Sequence, residues 1–318
     1  MSSDDGASMW DVEGISYLSI CFLQEDLANP GPNLYVAMNA TRIYTKPGIP
    51  EFDTMSKAIG VGLKILRTED GRRALCDLGR AVVQGWKHEG RHSFEGDPDM
   101  MPVYVDHFLA RIKADFPVVG LSSQMLPGTY AVTQRMPAWG NTAGHGGGHL
   151  LDFRPKSASF IYYNYSRTAA MVKTYQAGDN ATYSKFLVQI ATTTSHELAH
   201  TFTGYLARGL LEPRTHTPLE VQYFSIVNEF VHRGEAGRWL ENRLFGGALA
   251  WLTNPERPDD EAGHAYLFCG TRLYRINPAV FGEMVLNLEN ALIPFPFRCI
   301  GEGQTIAELA AAGSVQFS

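Results

Sequence analysis

The chain has 318 residues and a mass of 35.2 kDa, with 45% hydrophobic residues, 19% charged residues and a formal net charge of −6 at pH 7. This composition supports a sizeable core and excludes a disordered or collagen-like chain. The acidic balance excludes a general attraction to nucleic acid, and no run approaches the roughly 18 apolar residues that a membrane span needs. We therefore expect neither nucleic acid nor membrane as a partner.

The N-terminal part, residues 1–175, is predicted to form a mixed α/β lobe. Its helical segments repeat apolar residues three and four positions apart, and its strands are short apolar runs bounded by Gly and Pro. In chain order, the predicted elements are a strand at 34–38, helices over 53–86 and 101–116, and strands at 116–121, 129–133 and 158–163.

The C-terminal part, residues 176–318, is predicted to form a mainly helical lobe. In chain order, its predicted elements are a helix over 180–206, a helical region over 219–233 that resumes at 239–244, a strand at 265–269, and short helices near 279–288 and 304–312. The two lobes together predict an α+β fold.

Cysteine usage and the N-terminus bear on the cellular compartment. The four cysteines are scattered and include no CxxC pair, which favours buried thiols over a disulfide framework. The N-terminal residues lack the basic region and apolar run of a signal peptide. We expect a cytoplasmic protein, or a secreted one if a leader has been removed.

The helix over 180–206 carries the motif His196-Glu197-Leu198-Ala199-His200. Two histidines four residues apart project from one face of a helix, so both imidazoles can reach a single metal ion. Glu197 follows about 100° around the helix, where its carboxylate can take a proton from a water that the ion has acidified. We interpret His196 and His200 as metal ligands and Glu197 as the catalytic base. The Glu between the ligands favours Zn²⁺ over iron.

The residues after the motif limit the choice of a third ligand. The pattern HExxHxxGxxH fails because Thr203 and Leu206 stand where a glycine and a histidine are required. The downstream Gly-Thr-x-Asp pattern also fails, since the nearest match, Gly270-Thr-Arg-Leu, lacks the aspartate. The remaining candidate for the third ligand is a glutamate after the motif. With such a glutamate, residues 183–247 resemble the gluzincin clan of zinc metallopeptidases. The resemblance implies a zincin-like fold and a zinc-dependent hydrolase.

Two glutamates compete as the third ligand. Glu229 follows an Asn, as in thermolysin-like enzymes, but Arg233 stands where that family places an Asp. Glu235 is followed by Ala236 and Gly237, and such small neighbours let a ligand segment approach the motif helix closely. The two glutamates are about 240° apart on an ideal helix, so they cannot both face one ion. The pattern favours Glu235, and Glu229 stays the alternative.

Other residues are weaker candidates. A Tyr or His donor commonly stabilises the oxyanion in zinc hydrolases, and the candidates after the motif are Tyr223, His232, His264 and Tyr266. His145 and His149 lie in a glycine-rich stretch that indicates a loop rather than a second metal site. The run 162–165 is interpreted as strand packing, with a substrate-binding edge strand as the alternative.

Three hypotheses follow. The first is a zinc-dependent metallopeptidase in which His196, His200 and Glu235 hold Zn²⁺ and Glu197 moves the proton. The second keeps the metal and the fold but has a small-molecule substrate in a biosynthetic pathway, since no restraint on a general protease is visible in the sequence. The third is a non-catalytic binding module. An extended groove along an edge strand would favour peptides, and a closed pocket would favour a small molecule.

Overall fold

The computed structural model describes residues 34–38, 41–91, 94–125, 128–136, 139, 148–210, 217–221, 235–253, 261–286 and 295–311. The helices in these ranges are α1 (Pro50–Arg67), α2 (Glu69–His88), α3 (Met101–Ala114), α4 (Pro155–Ala158), α5 (Tyr165–Gln176), α6 (Asn180–Leu206), α7 (Ala236–Phe245), α8 (Ala279–Leu286) and α9 (Ile306–Ala311). The strands are β1 (Leu34–Met38), β2 (Thr41–Tyr44), β3 (Val118–Ser122), β4 (Ala131–Arg135), β5 (Ser159–Asn164), β6 (Ala248–Leu252), β7 (His264–Cys269), β8 (Arg272–Ile276) and β9 (Cys299–Gln304). The chain has an α+β fold, as the sequence predicts.

Two sheets organise the described residues. The first is mixed, in the order β2-β1-β3-β5-β4, with β1, β3 and β5 parallel and an antiparallel strand at each edge. The second is antiparallel, in the order β6-β7-β8-β9. One hydrophobic core, with buried residues from Met55 to Phe297, extends over α1–α3, the first sheet, α6, α7 and the second sheet.

Local sequence explains where the first helices begin and end. Pro50 lies in the first turn of α1, with Glu51 and Asp53 near the positive end of the helix dipole. Thr68 ends α1 and begins α2, because its side-chain oxygen accepts a hydrogen bond from the Gly71 amide at 3.0 Å. The predicted helical region over 53–86 is therefore two helices joined at one residue.

The long helix α6 lies in the middle of the molecule and packs against α1, α5, α7 and β4. It passes close to α1 at Gly62, where a Cβ would lie only 2.5 Å from the carbonyl oxygen of Ala191. The Ser195 hydroxyl also donates a hydrogen bond to the Gly62 carbonyl at 3.0 Å. The prediction of a helix over 180–206 is confirmed.

The second sheet is larger than the sequence predicts. The strand expected at 265–269 is β7, but the sequence does not predict β6, β8 and β9. β6 is a run of five apolar residues with no distinctive period, and β8 and β9 mix charged, polar and glycine residues with apolar ones. Helix α5 likewise lies where strands and loops were expected. It is capped by the Asn164 side chain, which accepts a hydrogen bond from the Arg167 amide.

The structure does not test two further predictions, one on a helix and one on a domain boundary. Residues 222–233 of the predicted helical region 219–233 lie outside them, and the boundary near residue 175 stays a prediction. No helix in the described ranges is long and apolar enough to cross a bilayer.

Candidate metal centre

Helix α6 brings the two histidines of the motif together. His196 and His200 lie one turn apart, and their Nε2 atoms are 3.3 Å from each other. Both rings belong to a partly exposed stripe along the otherwise buried part of α6, formed by Thr193, His196, His200 and Gly204. We call these four residues the α6 stripe. Both imidazoles therefore lie on the face of α6 that neighbouring elements cover least.

Glu235, immediately before α7, completes a group of three donors. Its Oε2 atom lies 3.6 Å from His196 Nε2, and the donor atoms of His196, His200 and Glu235 all lie within 4.8 Å of one another. Oε2 is buried, yet it makes no hydrogen bond to any described residue. A buried carboxylate oxygen without a hydrogen bond costs free energy unless a cation or a water satisfies it. We call these three residues the ligand cluster. Its donors fit a divalent metal ion.

The close approach of Glu235 depends on small residues, as the sequence predicts. A Cβ at Gly237 would lie 2.3–2.4 Å from three ring atoms of His196, which is closer than any real contact allows. Ala236 is fully buried in the same turn. The alternative ligand, Glu229, lies outside the described residues, and the structure places Glu235 beside His196.

Glu241 is a functional candidate that the sequence reasoning missed. It is only 4% exposed, and its Oε1 atom lies 2.8 Å from His196 Nδ1. Its Oε2 atom accepts a hydrogen bond from the Leu249 amide of β6 at 2.8 Å, and Arg238 approaches the same oxygen at 3.5 Å. Because Nδ1 lies against Glu241, Nε2 of His196 faces the ligand cluster, the orientation that metal ligation requires. The sequence contains a signal for this role, because Glu241 is a charged residue on the face of α7 that Leu240 and Leu244 mark as buried.

The histidines of the ligand cluster have opposite pKa shifts. Burial lowers the pKa of His196, but the neighbouring Glu241, Glu197 and Glu235 carboxylates outweigh this effect and raise it to about 9. Burial and the charge of His196 lower the pKa of His200 to about 4. Without a metal, His196 is therefore protonated at neutral pH, and its Nε2 faces the neutral imidazole of His200. A metal ion would replace that proton, since ligation needs both imidazoles neutral.

Glu197 lies on the buried side of the same turn. Its side chain is only slightly exposed, and burial raises the pKa of its carboxyl, partly offset by the charge of His196. The Thr133 hydroxyl of β4 donates a hydrogen bond to the Glu197 backbone carbonyl at 3.1 Å, which ties the edge of the first sheet to this turn. A carboxyl with a raised pKa is suited to accept a proton and then release it.

The weaker candidates have other environments. Tyr266 is a core residue of the second sheet, packed with Leu252, Leu273 and Leu309. The His264 ring is at 3.2 Å from Arg275, and His149 Nδ1 accepts a hydrogen bond from the Leu151 amide. Tyr223, His232 and His145 lie outside the described residues.

The tyrosine run 162–165 falls largely in β5, an inner strand paired on both sides, so its interpretation as strand packing is correct. The edge strand beside α6 is β4 instead. Its only strand partner among the described residues is β5, and its residues are partly exposed. A strand with one open side can pair with an added chain.

Comparisons with known proteins add no assignment: no family model, curated protein or solved structure matches this chain.

Proposed function

We propose that this chain is a zinc-dependent metallopeptidase of the gluzincin type, with a zincin-like arrangement of the motif helix and the neighbouring sheet. One observation carries the proposal. The donor atoms of His196, His200 and Glu235 converge within 4.8 Å, and the buried Glu235 Oε2 atom makes no hydrogen bond to any residue that the structure describes. Two imidazoles and a carboxylate form the ligand set of catalytic zinc sites that keep a fourth position open.

The surrounding residues support the same interpretation. Glu241 accepts a hydrogen bond from His196 Nδ1–H and another from the Leu249 amide. The His196 ring is therefore fixed with Nε2 toward the ligand cluster. Such outer carboxylates commonly orient metal-bound histidines. Gly237 lets the ligand segment lie against the His196 ring.

When bound at this cluster, Zn²⁺ supplies Lewis acidity that polarises a substrate carbonyl and lowers the pKa of a water. Glu197 acts as the base that takes the proton of the attacking water and then gives it to the leaving amine. Its burial raises its pKa, so the carboxyl can hold that proton between the two steps. Glu241 keeps the His196 ring in place during the reaction.

The edge strand favours a peptide over a small molecule. β4 runs beside α6, joined to it by the Thr133 hydrogen bond to the Glu197 carbonyl. On the side away from β5, β4 pairs with no strand of the described ranges. An extended peptide that pairs there would bring its backbone carbonyls next to the α6 stripe. The peptide class of substrate is therefore the better supported one.

Elemental analysis and a cleavage assay test this proposal together. Wild type and Glu197→Gln should each retain about one zinc per chain, whereas His200→Ala should lose it. Wild type should cleave a quenched-fluorescent peptide library, and Glu197→Gln should not. His88→Ala, a change of an exposed histidine on α2, serves as the control and should match wild type in both assays.

The possible failures are informative in different ways. A wild type that carries no zinc and takes up none on titration would leave the binding-module hypothesis in its place. A protein that binds zinc but cleaves no peptide would favour the small-molecule hypothesis.

A further inference from the structure

A small pocket lies on the same side of α6 as the ligand cluster, toward the start of the helix. Its walls include Tyr130, Arg167, Ile190 and Thr193. Thr193 is three residues before His196, and Ile190 is seven residues before Glu197, which corresponds to about 20° around an ideal helix. The two residues of α6 that line the pocket therefore face the same way as the motif. We call this cavity the α6 pocket.

The mouth of the α6 pocket lies at the α6 stripe. Thr193 and Tyr130 are partly exposed, whereas Ile190 and Arg167 are buried, so the pocket deepens from the first pair toward the second. Thr193 belongs to the α6 stripe and is about 4.5 Å from His196 along the helix axis. An extended peptide advances about 3.3 Å per residue. The mouth is therefore within about two residues of a peptide bond held at the ligand cluster.

The α6 pocket is small. The centre of a water-sized group has about 10 Å³ of room in it. That is about the room that one water needs, so one water or one group of similar size, such as a methyl, fits. A longer side chain fits only if the walls move.

The polar residues of the wall are fixed by contacts with one another and with the second sheet. The Arg167 guanidinium lies over the Tyr130 ring, 4.2 Å from its centroid, and Nη1 donates a hydrogen bond to Gln189 Oε1 at 3.1 Å. The Gln189 amide donates to the Ala262 carbonyl at 3.4 Å, and the Tyr130 hydroxyl donates to the Trp251 carbonyl at 3.2 Å. Widening the pocket would break these contacts, and each hydrogen bond broken in the interior costs free energy.

We propose that the α6 pocket receives a substrate side chain within two residues of the scissile bond and restricts that residue to glycine or alanine. This inference rests on the proposed peptidase function. Glycine would leave the pocket to a water, and the methyl group of alanine would replace that water. An ethyl group has one carbon more than the pocket accepts, because the wall is tied to the second sheet.

The test uses quenched-fluorescent octapeptides with zinc-loaded full-length protein. At each of the four positions nearest the scissile bond, one series carries glycine, alanine, 2-aminobutyrate or valine, and mass spectrometry of the products locates the bond. At one position, wild type should cleave the glycine and alanine peptides at least about 10-fold faster in kcat/KM than the 2-aminobutyrate peptide, since one methylene in a closed pocket changes kcat/KM by about 10- to 200-fold.

Two variants change the size of the α6 pocket in opposite directions. Ile190→Val removes one methyl from the wall and should reduce the discrimination against 2-aminobutyrate by about 3- to 10-fold. Thr193→Leu fills the mouth and should slow the alanine peptide at least about 10-fold relative to the glycine peptide. Ile112→Val removes the same methyl from a fully buried position on α3, outside the pocket, and is the matched control that should keep the wild-type discrimination.

A binding measurement separates recognition from chemistry. Isothermal titration of the same peptides into the Glu197→Gln protein measures affinity without turnover. The affinity should fall at least about 10-fold from the alanine peptide to the 2-aminobutyrate peptide, and Ile190→Val in the same background should restore part of it.

Equal cleavage of the four residues at every position, or a discrimination that Ile190→Val and Ile112→Val leave alike, would overturn the inference and leave the peptidase function standing. If no peptide is cleaved but binding shows a size limit that Ile190→Val relaxes, the role of the pocket stands and the peptidase function falls. If neither cleavage nor size-dependent binding is seen, both fall.

Discussion

The first sheet borders the ligand cluster through its edge strand, whereas the second sheet supports the cluster through backbone groups. β4 contacts α6 by the Thr133 hydroxyl, and β5 is its only strand partner among the residues that the structure describes. In β6, the Leu249 amide donates a hydrogen bond to Glu241, and the Leu249 carbonyl accepts one from Arg238. Glu241 in turn accepts a hydrogen bond from His196. Under the proposed function, the first sheet provides room for a substrate and the second sheet fixes the ligands, so changes on the two sides should have different effects.

The largest expected effect comes from loss of the metal or of one of its ligands. Removal of the metal with a chelator should reduce peptide hydrolysis by at least about 1000-fold, and added Zn²⁺ should restore it, because the base Glu197 alone does not polarise the carbonyl. His200→Ala should show the same loss without recovery. Zinc content and initial rates measure both. Full activity after chelation would contradict the assignment of the ligand cluster.

On the second-sheet side, Glu241→Gln should weaken zinc binding by about 10- to 100-fold. The amide is nearly the same size, but it no longer offers a charged acceptor to His196 Nδ1–H. A competition titration against a chromogenic chelator gives the affinity. Glu283→Gln, at an exposed ion pair with Arg298, is the matched control and should bind zinc as wild type does. An unchanged affinity in Glu241→Gln would remove the second sheet from the support of the ligands.

Gly237→Ala tests the approach of α7 to α6. The new Cβ would lie 2.3–2.4 Å from the His196 ring, so the ring or the helix must move, and we expect a loss of about 1–3 kcal/mol in stability together with weaker zinc binding. Gly60→Ala is the matched control, since a Cβ there meets nothing within 4 Å in the interior of α1, and it should stabilise by about 0.5–1 kcal/mol. Chemical unfolding measures both. Equal effects of the two substitutions would show that the close approach does not matter.

These features differ in how far the sequence could predict them. The motif helix α6 was predictable because its period and its ligand spacing are local properties of one segment. Glu235 could be predicted as a ligand because the small residues that follow it are adjacent in sequence. The role of Glu241 depends on a backbone amide of β6, and the open side of β4 depends on the strand order of a sheet. Neither contact follows from a local pattern, so neither was predicted.

On the first-sheet side, Thr133→Val should destabilise the protein by about 0.5–1.5 kcal/mol, because one hydrogen bond to the Glu197 carbonyl is lost while the shape of the side chain is kept. Zinc affinity should stay within about twofold of wild type, since Thr133 touches no ligand atom. Urea unfolding and the chelator competition measure the two quantities. A large loss of zinc affinity would contradict the division of roles between the sheets.

The smallest expected effect concerns His107 of α3, which lies outside both sheets and contacts α6 at Tyr205, with His107 Nδ1 at 3.1 Å from the tyrosine hydroxyl. Burial, together with the charge of Arg111, lowers the pKa of His107 in the folded protein. The unfolded chain therefore binds a proton more readily, and the contribution of His107 to stability is present above its ordinary pKa and decreases as the pH falls through the lowered value. Urea unfolding from pH 8 to pH 5 should show a weaker decrease on acidification in His107→Asn than in wild type. Parallel curves would mean that His107 titrates alike in both states, and the acid sensitivity of the fold would then arise elsewhere.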